Sequence, residues 1–335
     1  MTISLAGRRV LHIAPRFFGY EIALREELAR RGAEVDYLPD RPFSSPMLKA
    51  MTRFKRDWTL HVTDRLYRRQ LTAWGRREYD IVFVVNGQTL SRDVLAQLRR
   101  EFPRARFILY MWDSIENRRC TLESLEFFDD LFSFDRRDVE TYGFRFRPLF
   151  FSRGFDPSAL HIAYDISFIG TMHTDRYRVV SSVDRSLGVK ASRYWYLYLQ
   201  APWVYYAYKV LNPAFRDASR KEFRFQPLAK DKVQEVFRTS RAILDVEHPR
   251  QVGLTIRTLE VLGASKKLVT TNPDIVTYDF YRPENILVID RDKAAVPLDF
   301  IKSDYVPVDP AIYARYSIQG WMDEILSVLA RSGSR

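Results

Sequence analysis

Short apolar runs alternate with amphipathic helical stretches along this chain, and the alternation occurs twice, which confines it to parallel βαβ winding. Residues 9–14, 34–38, 80–85, 106–111, 130–134 and 146–150 read as strands. Helical patterns fill 20–31, closed by Gly32, and 91–101. The pattern restarts with strands at 165–170, 241–246, 267–271 and 285–290, and a last helix is expected over 310–330. A length of 335 residues suits two cores better than one. The expected fold is therefore α/β, with two Rossmann-like domains and parallel sheets facing each other across a cleft. Boundaries are expected at 1–150, a linker over 151–163 containing Gly154 and Pro157, a second domain over 164–308, and a C-terminal helix over 309–335 packing back toward the first. Ligands of such sheets collect at the carboxyl ends of the strands.

Composition narrows the setting. Cys120 is the only cysteine, so an intramolecular disulfide and a cysteine-based zinc site are excluded and a reducing compartment is expected. Residues 1–7 run directly into a strand-like segment, so no leader is expected. No run approaches ~18 uninterrupted apolar residues, so no spanning helix is expected either. The expected location is the cytoplasm, at the inner face of the plasma membrane. The net charge of +11 admits nucleic acid, an anionic membrane face or acidic small molecules as partners. A basic block over 49–77 is interleaved with apolar residues and reads either as a lipid-facing helix or as a solvated helix packed on its own domain. Residues 194–208, YWYLYLQAPWVYYAY, read as a core helix broken by Pro202, or as an aromatic membrane-, sugar- or oligomer-facing element.

One segment carries more chemistry than the rest. In 251–272, QVGLTIRTLEVLGASKKLVTTN, a small-residue loop opens an amphipathic helix and a strand follows. Val252, Leu254, Ile256, Leu259, Val261, Leu262 and Ala264 supply the helix's apolar side, and Arg257 and Glu260 share one face a turn apart. Backbone N–H groups at a helix start attract phosphate, and a carboxylate one turn on can hold two ribose hydroxyls. A surface ion pair of small energetic worth is the plainer alternative.

The run R257-T-L-E260, then L-G-A, a basic pair and L-V-T-T-N, is similar to the donor-binding motif of GT-B glycosyltransferases, closest to the CgeB-like, "glycosyl transferases group 1" branch. That resemblance implies transfer of a sugar from a nucleotide donor to a capsule, lipopolysaccharide or other surface glycan or lipid-linked acceptor. It implies that Glu260 clamps the ribose and that the preceding loop, Gly253, Leu254 and Thr255, contacts the diphosphate. Gly170 and Thr171, at the end of the second series' first strand, and Arg176, His248 and Arg257 are the further candidates for the phosphates. The His248–Pro249 pair keeps a CMP-sugar open beside a nucleoside-diphosphate sugar.

The acceptor side is expected in the first series. Asp113, immediately after a strand in Y110-M-W-D113, is the first choice for general base, with a helix N-cap as its structural alternative. Glu21 is the rival base, and Gly19, Tyr20, Asn86 and Gly87 are candidate acceptor contacts, the glycines being equally explicable as turn residues. Val252 stands where retaining relatives carry a second Glu, so the stereochemical outcome stays open. No Asp-x-Asp element sits in a metal-binding setting, and neither a metal nor an obligatory cofactor is expected. The absence of a P-loop and of a placed G-x-G-x-x-G counts against kinases and dehydrogenases. A basic nucleic-acid-binding protein and a non-catalytic scaffold of the same fold are the other classes. No nucleic acid partner is expected, since none of the usual binding modules is visible.

Overall fold

In the computed structural model, which describes residues 2–40, 56–75, 77–155, 157, 161–249 and 253–334, the apolar runs form two parallel six-stranded sheets. The first contains β1 (Arg9–Pro15), β2 (Glu34–Asp40), β3 (Ile81–Val85), β4 (Arg106–Met111), β5 (Asp130–Ser133) and β6 (Arg145–Phe146). Its helices are α1 (Tyr20–Arg30), α2 (Arg56–Trp74), α3 (Arg92–Glu101) and α4 (Arg136–Tyr142). The second sheet begins with β7 (Tyr164–Thr171), α5 (Arg176–Leu187), β8 (Arg193–Tyr198), α6 (Pro202–Leu211) and β9 (Phe223–Arg224). It continues with α7 (Lys230–Arg238), β10 (Ser240–Asp245), α8 (Ile256–Gly263), β11 (Lys267–Thr270), β12 (Ile286–Val288) and α9 (Leu298–Lys302). Two more helices follow, α10 (Pro310–Tyr316) and α11 (Ile318–Leu326).

Strand order is β2-β1-β3-β4-β5-β6 in one sheet and β12-β11-β10-β7-β8-β9 in the other. Each order reverses direction once, between β1 and β3 and between β7 and β10. At such a reversal the two flanking loops leave toward opposite faces and open a crevice at the carboxyl ends of the strands. The chain divides into one unit of Met1–Pro148 with Ile318–Arg335 and a second of Leu149–Ser317. At the ends of the second unit, Phe151 N–H donates to Tyr316 O at 3.0 Å, and Phe151 and Ser317 form a parallel bridge.

Central strands are buried on both faces, as a sheet covered by helices on each side requires; all five residues of β3, IVFVV, are buried. On one face of the first sheet Leu11, Val82, Val84, Phe107 and Leu109 pack with Leu95 and Leu98 of α3 and Tyr67 and Leu71 of α2. Helix α2 thus buries one stripe and exposes Arg65, Arg68 and Arg69, which is the self-packed form of the basic block; residues 49–55 and 76 of that block lie outside the described residues. On the other face Trp321 of α11 meets Tyr110 edge-on at 4.7 Å and Phe83 at 6.2 Å. Arg31, buried, donates to Glu27 Oε1 and to Gln319 O and pairs with Asp323, so it fastens α1 to α11.

His12 sits in the middle of β1, stacked on Phe83, with Nδ1 3.2 Å from Phe83 O. A carbonyl only accepts, so Nδ1 carries the proton, and Nε2 has no hydrogen-bond partner among the described residues. Burial lowers the His12 pKa from 6.5 to about 4. Below pH 6.5 the unfolded chain therefore takes up a proton that the folded chain refuses. Stability is expected to fall as the pH drops from 6.5 toward 4, by about 3 kcal/mol in full for this group. Denaturant melts of the protein and of His12→Asn across that range check this; parallel acid slopes in the two would contradict it.

Several expected elements change. Residues 194–208 are not a helix interrupted by proline: Arg193–Tyr198 is strand β8, paired with β7 and β9, and Pro202 begins α6 at its first turn. Proline is tolerated there because that N–H has no helical partner to lose. The strand expected at 146–150 shrinks to Arg145–Phe146, since Pro148 lacks a donor to continue the ladder. Within the expected linker 151–163, Phe151 and Phe155 are buried and Phe155 packs on Phe237 at 5.5 Å; residues 156 and 158–160 lie outside the described residues. The helix after residue 251 starts only at Ile256, and the one expected over 310–330 breaks at Ser317, whose backbone is extended.

Candidate functional site

The reversal between β7 and β10 gathers the donor-side candidates. Gly170 and Thr171 end β7, and Arg176 opens α5. Arg176 Nε donates to Val246 O at 2.6 Å and Nη1 to Thr171 O at 3.1 Å, so one guanidinium spans the two diverging strand ends. Burial, opposed by Asp245 and Glu247 and reinforced by Arg257 and Arg291, lowers the Arg176 pKa. Three arginines therefore crowd one region with two buried carboxylates among them.

The start of α8 is fixed to β10 by hydroxyls. Asp245 Oδ2 accepts from Thr255 Oγ1 at 2.6 Å and Thr258 Oγ1 at 2.8 Å, while Thr258 N–H donates to Thr255 Oγ1 at 3.2 Å as an N-cap. Thr255 is therefore committed to the cap, and Leu254 beside it is buried. Residues 250–252 lie outside the described residues. Arg257 Nη1 is 3.5 Å from Glu260 Oε2, and the two side chains are 22% and 8% exposed, so the pair does not stand on an outward surface. The Arg257 guanidinium lies over the Phe237 ring at 5.1 Å, and its buried Nη1 makes no hydrogen bond among the described residues.

The loops after β7, β10, β11 and β12 are tied by Arg291, which the sequence had not singled out. Its Nη1 donates to Asp175 Oδ1 at 2.8 Å, and its Nη2 reaches Glu247 O at 3.1 Å, the Glu247 carboxylate, and Thr271 Oγ1 at 3.2 Å. His248 faces His173 at 5.7 Å between ring centroids. Burial first, then Arg176 and His248, lower the His173 pKa to about 4, so this imidazole is neutral at pH 7. Chemically, the assembly offers a helix N-terminus, a partly unsatisfied guanidinium and a carboxylate one turn into the helix, which suits a phosphate joined to a sugar diol.

In the first unit, the loops after β1 and β3 flank the other reversal. Gly19 is left-handed (φ 79°) at the start of α1, and Glu21 turns back to accept from Phe17 N–H at 3.0 Å. Tyr20 is buried. Asn86 (φ 63°) and Gly87 (φ 64°) form a left-handed pair, and a Cβ on Gly87 would meet Val84 Cγ1 at 3.1 Å. Asn86 is committed to the scaffold, since its Oδ1 accepts from Trp112 N–H at 3.1 Å. Asp113 follows β4, one strand from the reversal. It does not cap a helix: Oδ1 accepts from Asn117 Nδ2 at 3.1 Å and Oδ2 pairs with Arg118 at 2.8 Å. Phe17 and Trp112 meet at 5.8 Å, so the loop leading into α1, just before Glu21, touches the loop bearing Asp113.

Beyond these, Asp40 holds the β3 loop through Gln88 N–H, Thr89 N–H and the Thr89 hydroxyl, and Asp138 holds Ile115 N–H and the Ser133 hydroxyl. Burial raises the Asp138 pKa. Asp40 and Asp245 share a sequence signal, an Asp as the last residue of a strand, that would have marked both. No group of three or more His, Cys, Asp or Glu able to hold a metal ion occurs among the described residues.

No family model matches the chain, and no curated protein matches it. Solved structures do. Anabaena Alr3699/HepE, in complex with UDP and glucose, is 10% identical and covers 97% of this chain and 100% of its own, with a TM-score of 0.60. The lipopolysaccharide outer core galactosyltransferase WaaB is 10% identical over 96% of this chain and 99% of its own, at 0.50. A UDP-GlcNAc 2-epimerase from Methanocaldococcus jannaschii is 9% identical over 96% and 99%, at 0.52. The fold is thus the one found in GT-B glycosyltransferases. At such identities likeness extends to architecture alone, which transferases and an epimerase share.

Proposed function

We propose that this protein is a metal-independent glycosyltransferase that moves a sugar from a nucleotide-sugar donor onto a bacterial surface glycan or lipid-linked acceptor, working at the cytoplasmic face of the membrane. The observation that carries this reading is the convergence of Arg176, Arg257, the α8 N-terminus and Glu260 at the β7/β10 reversal. The UDP and glucose bound by HepE, and the lipopolysaccharide role in the name of WaaB, support the same donor and acceptor classes.

In the reaction an acceptor hydroxyl attacks the anomeric carbon, its proton passes to a carboxylate, and the bond from that carbon to the diphosphate oxygen breaks. Asp113 or Glu21 takes the proton. Arg257, the backbone of Gly253 and Leu254 and the helix N-terminus hold the charge that develops on the departing diphosphate, and Glu260 binds the ribose diol. Arg176 and His248 border that diphosphate, with the backbone of Gly170 and Thr171 beneath it. Gly19, Tyr20, Asn86 and Gly87 shape the acceptor loops.

Thermal melts with UDP, GDP, TDP and CMP nucleotides test this. At about 100 times Kd the matching nucleotide stabilises the protein by about 2.7 kcal/mol, which shifts the melt by several degrees. Glu260→Ala, which also strands the Arg257 guanidinium and is therefore compared with its own unliganded melt, is expected to abolish the shift. No shift across the whole panel would sink the proposal. Conversion of a UDP-sugar to its epimer without any acceptor would redirect it to the epimerase chemistry that the same fold supports.

A further inference from the structure

We propose that the outer face of α6 is a docking surface for an anionic lipid bilayer. Along this ten-residue helix Trp203 is 71% exposed, Tyr206 58%, Val210 84% and Leu211 78%. Steps of three and four residues place Trp203, Tyr206 and Val210 on one face. The opposite side is anchored: Val204 and Tyr205 are buried, Tyr205 Oη donates to Ala218 O at 2.9 Å, and Tyr208 packs on Phe215 at 5.0 Å. The exposed ridge is therefore held rigidly outward, and the core beneath makes no use of it.

Charge selects the occupant. The segment packed beneath α6 exposes Arg216, Arg220, Lys221 and Arg224, and Lys209 on the helix reaches back to Ala218 O at 2.8 Å. Within 209–224 the acidic residues beside these five cations are Asp217 and Glu222, and Glu222 is engaged by Ser219 N–H and the Tyr177 hydroxyl. An apolar ridge bearing Trp and Tyr, bordered by cations, matches an interface of acyl chains beneath anionic headgroups. A second copy of the chain fits worse, because a two-fold contact through this ridge would bring the same cations together. At about 15 Å the helix would lie in the interface, and no helix among the described residues is long and apolar enough to cross a membrane. The inference stands on this surface alone and is independent of the transfer reaction.

Flotation of the full chain with phosphatidylcholine vesicles, with and without about one-third phosphatidylglycerol, tests it. Partitioning is expected to be at least about tenfold stronger onto the anionic vesicles and to weaken as salt rises. Trp203→Ser/Tyr206→Ser should lower it about tenfold with an unchanged melting temperature, and Arg216→Gln/Lys221→Gln should lower it severalfold with a shallower salt dependence. If the aromatic variant melts early, Val210→Ser/Leu211→Ser replaces it with the same expectation. Absence of binding, equal binding to neutral vesicles, or partitioning untouched by the ridge variants would overturn the proposal. Self-association abolished by those variants would overturn it in favour of a second copy.

Discussion

Arg291→Ala is expected to remove about 2–3 kcal/mol from the second unit and to weaken nucleotide binding along with it. The side chain joins Asp175, Glu247 and Thr271, which belong to three different loops. Without it the Glu247 carboxylate, buried at the end of β10, keeps Thr271 but loses its cation. Stranding one partner of a buried pair typically costs about 3–5 kcal/mol. An opposing effect is present, because Arg176 loses a like-charged neighbour that disfavours its charge. Burial is the largest influence on Arg176 and remains, so the relief is the smaller effect and the net change is a loss. Adding Glu247→Gln should restore part of it, with a coupling of at least about 1 kcal/mol in a double-mutant cycle read by urea unfolding. Arg291→Lys should recover little, since an ammonium cannot span three partners at once. Strict additivity of the Arg291 and Glu247 changes would show that the two groups do not act as a pair.

Trp321→Ala is expected to cost the first unit about 3–5 kcal/mol and to lower its melting temperature by about 10 °C. The indole is fully buried between the sheet and α11 and meets Tyr110 and Phe83. Its removal opens a cavity under the last helix, which the sheet face cannot collapse to fill. Damage there also reaches Arg31, whose buried guanidinium depends on Asp323 and Gln319 of the same helix. Trp321→Phe keeps most of the contact and should cost less than half as much. A loss under about 1 kcal/mol in the alanine variant, measured by denaturant unfolding of the full chain, would mean that α11 contributes little to the first core.

The residues needed for these effects were unequally visible in the sequence. Period and punctuation located most strands, and the pairing of β1, β3, β4, β7, β10 and β11 follows from apolar runs that bury both faces. The Arg257–Glu260 pair was legible because both residues sit on one helix, three positions apart. Strand β8 was not, because its aromatic residues satisfy a helix or a strand pattern equally, and only pairing with β7 and β9 decides. The break at Ser317 was hidden for a related reason: Tyr316 O and Ser317 leave the helix to meet Phe151, a partner 166 residues earlier in the chain.

What the sequence determined by itself is therefore the set of local elements and the helix that presents a carboxylate near its start. Side-chain periodicity, caps and turn residues act over a few positions, so a single segment suffices to express them. Strand order, and with it the reversal that brings Arg176, Arg257 and Arg291 together, was decided only by the tertiary structure. Arg291 finds Glu247 and Asp175 at separations of 44 and 116 residues, and nothing local to any of the three marks the others. Such contacts exist only after the second sheet has formed, because burial gives those charges a reason to pair that an exposed chain lacks.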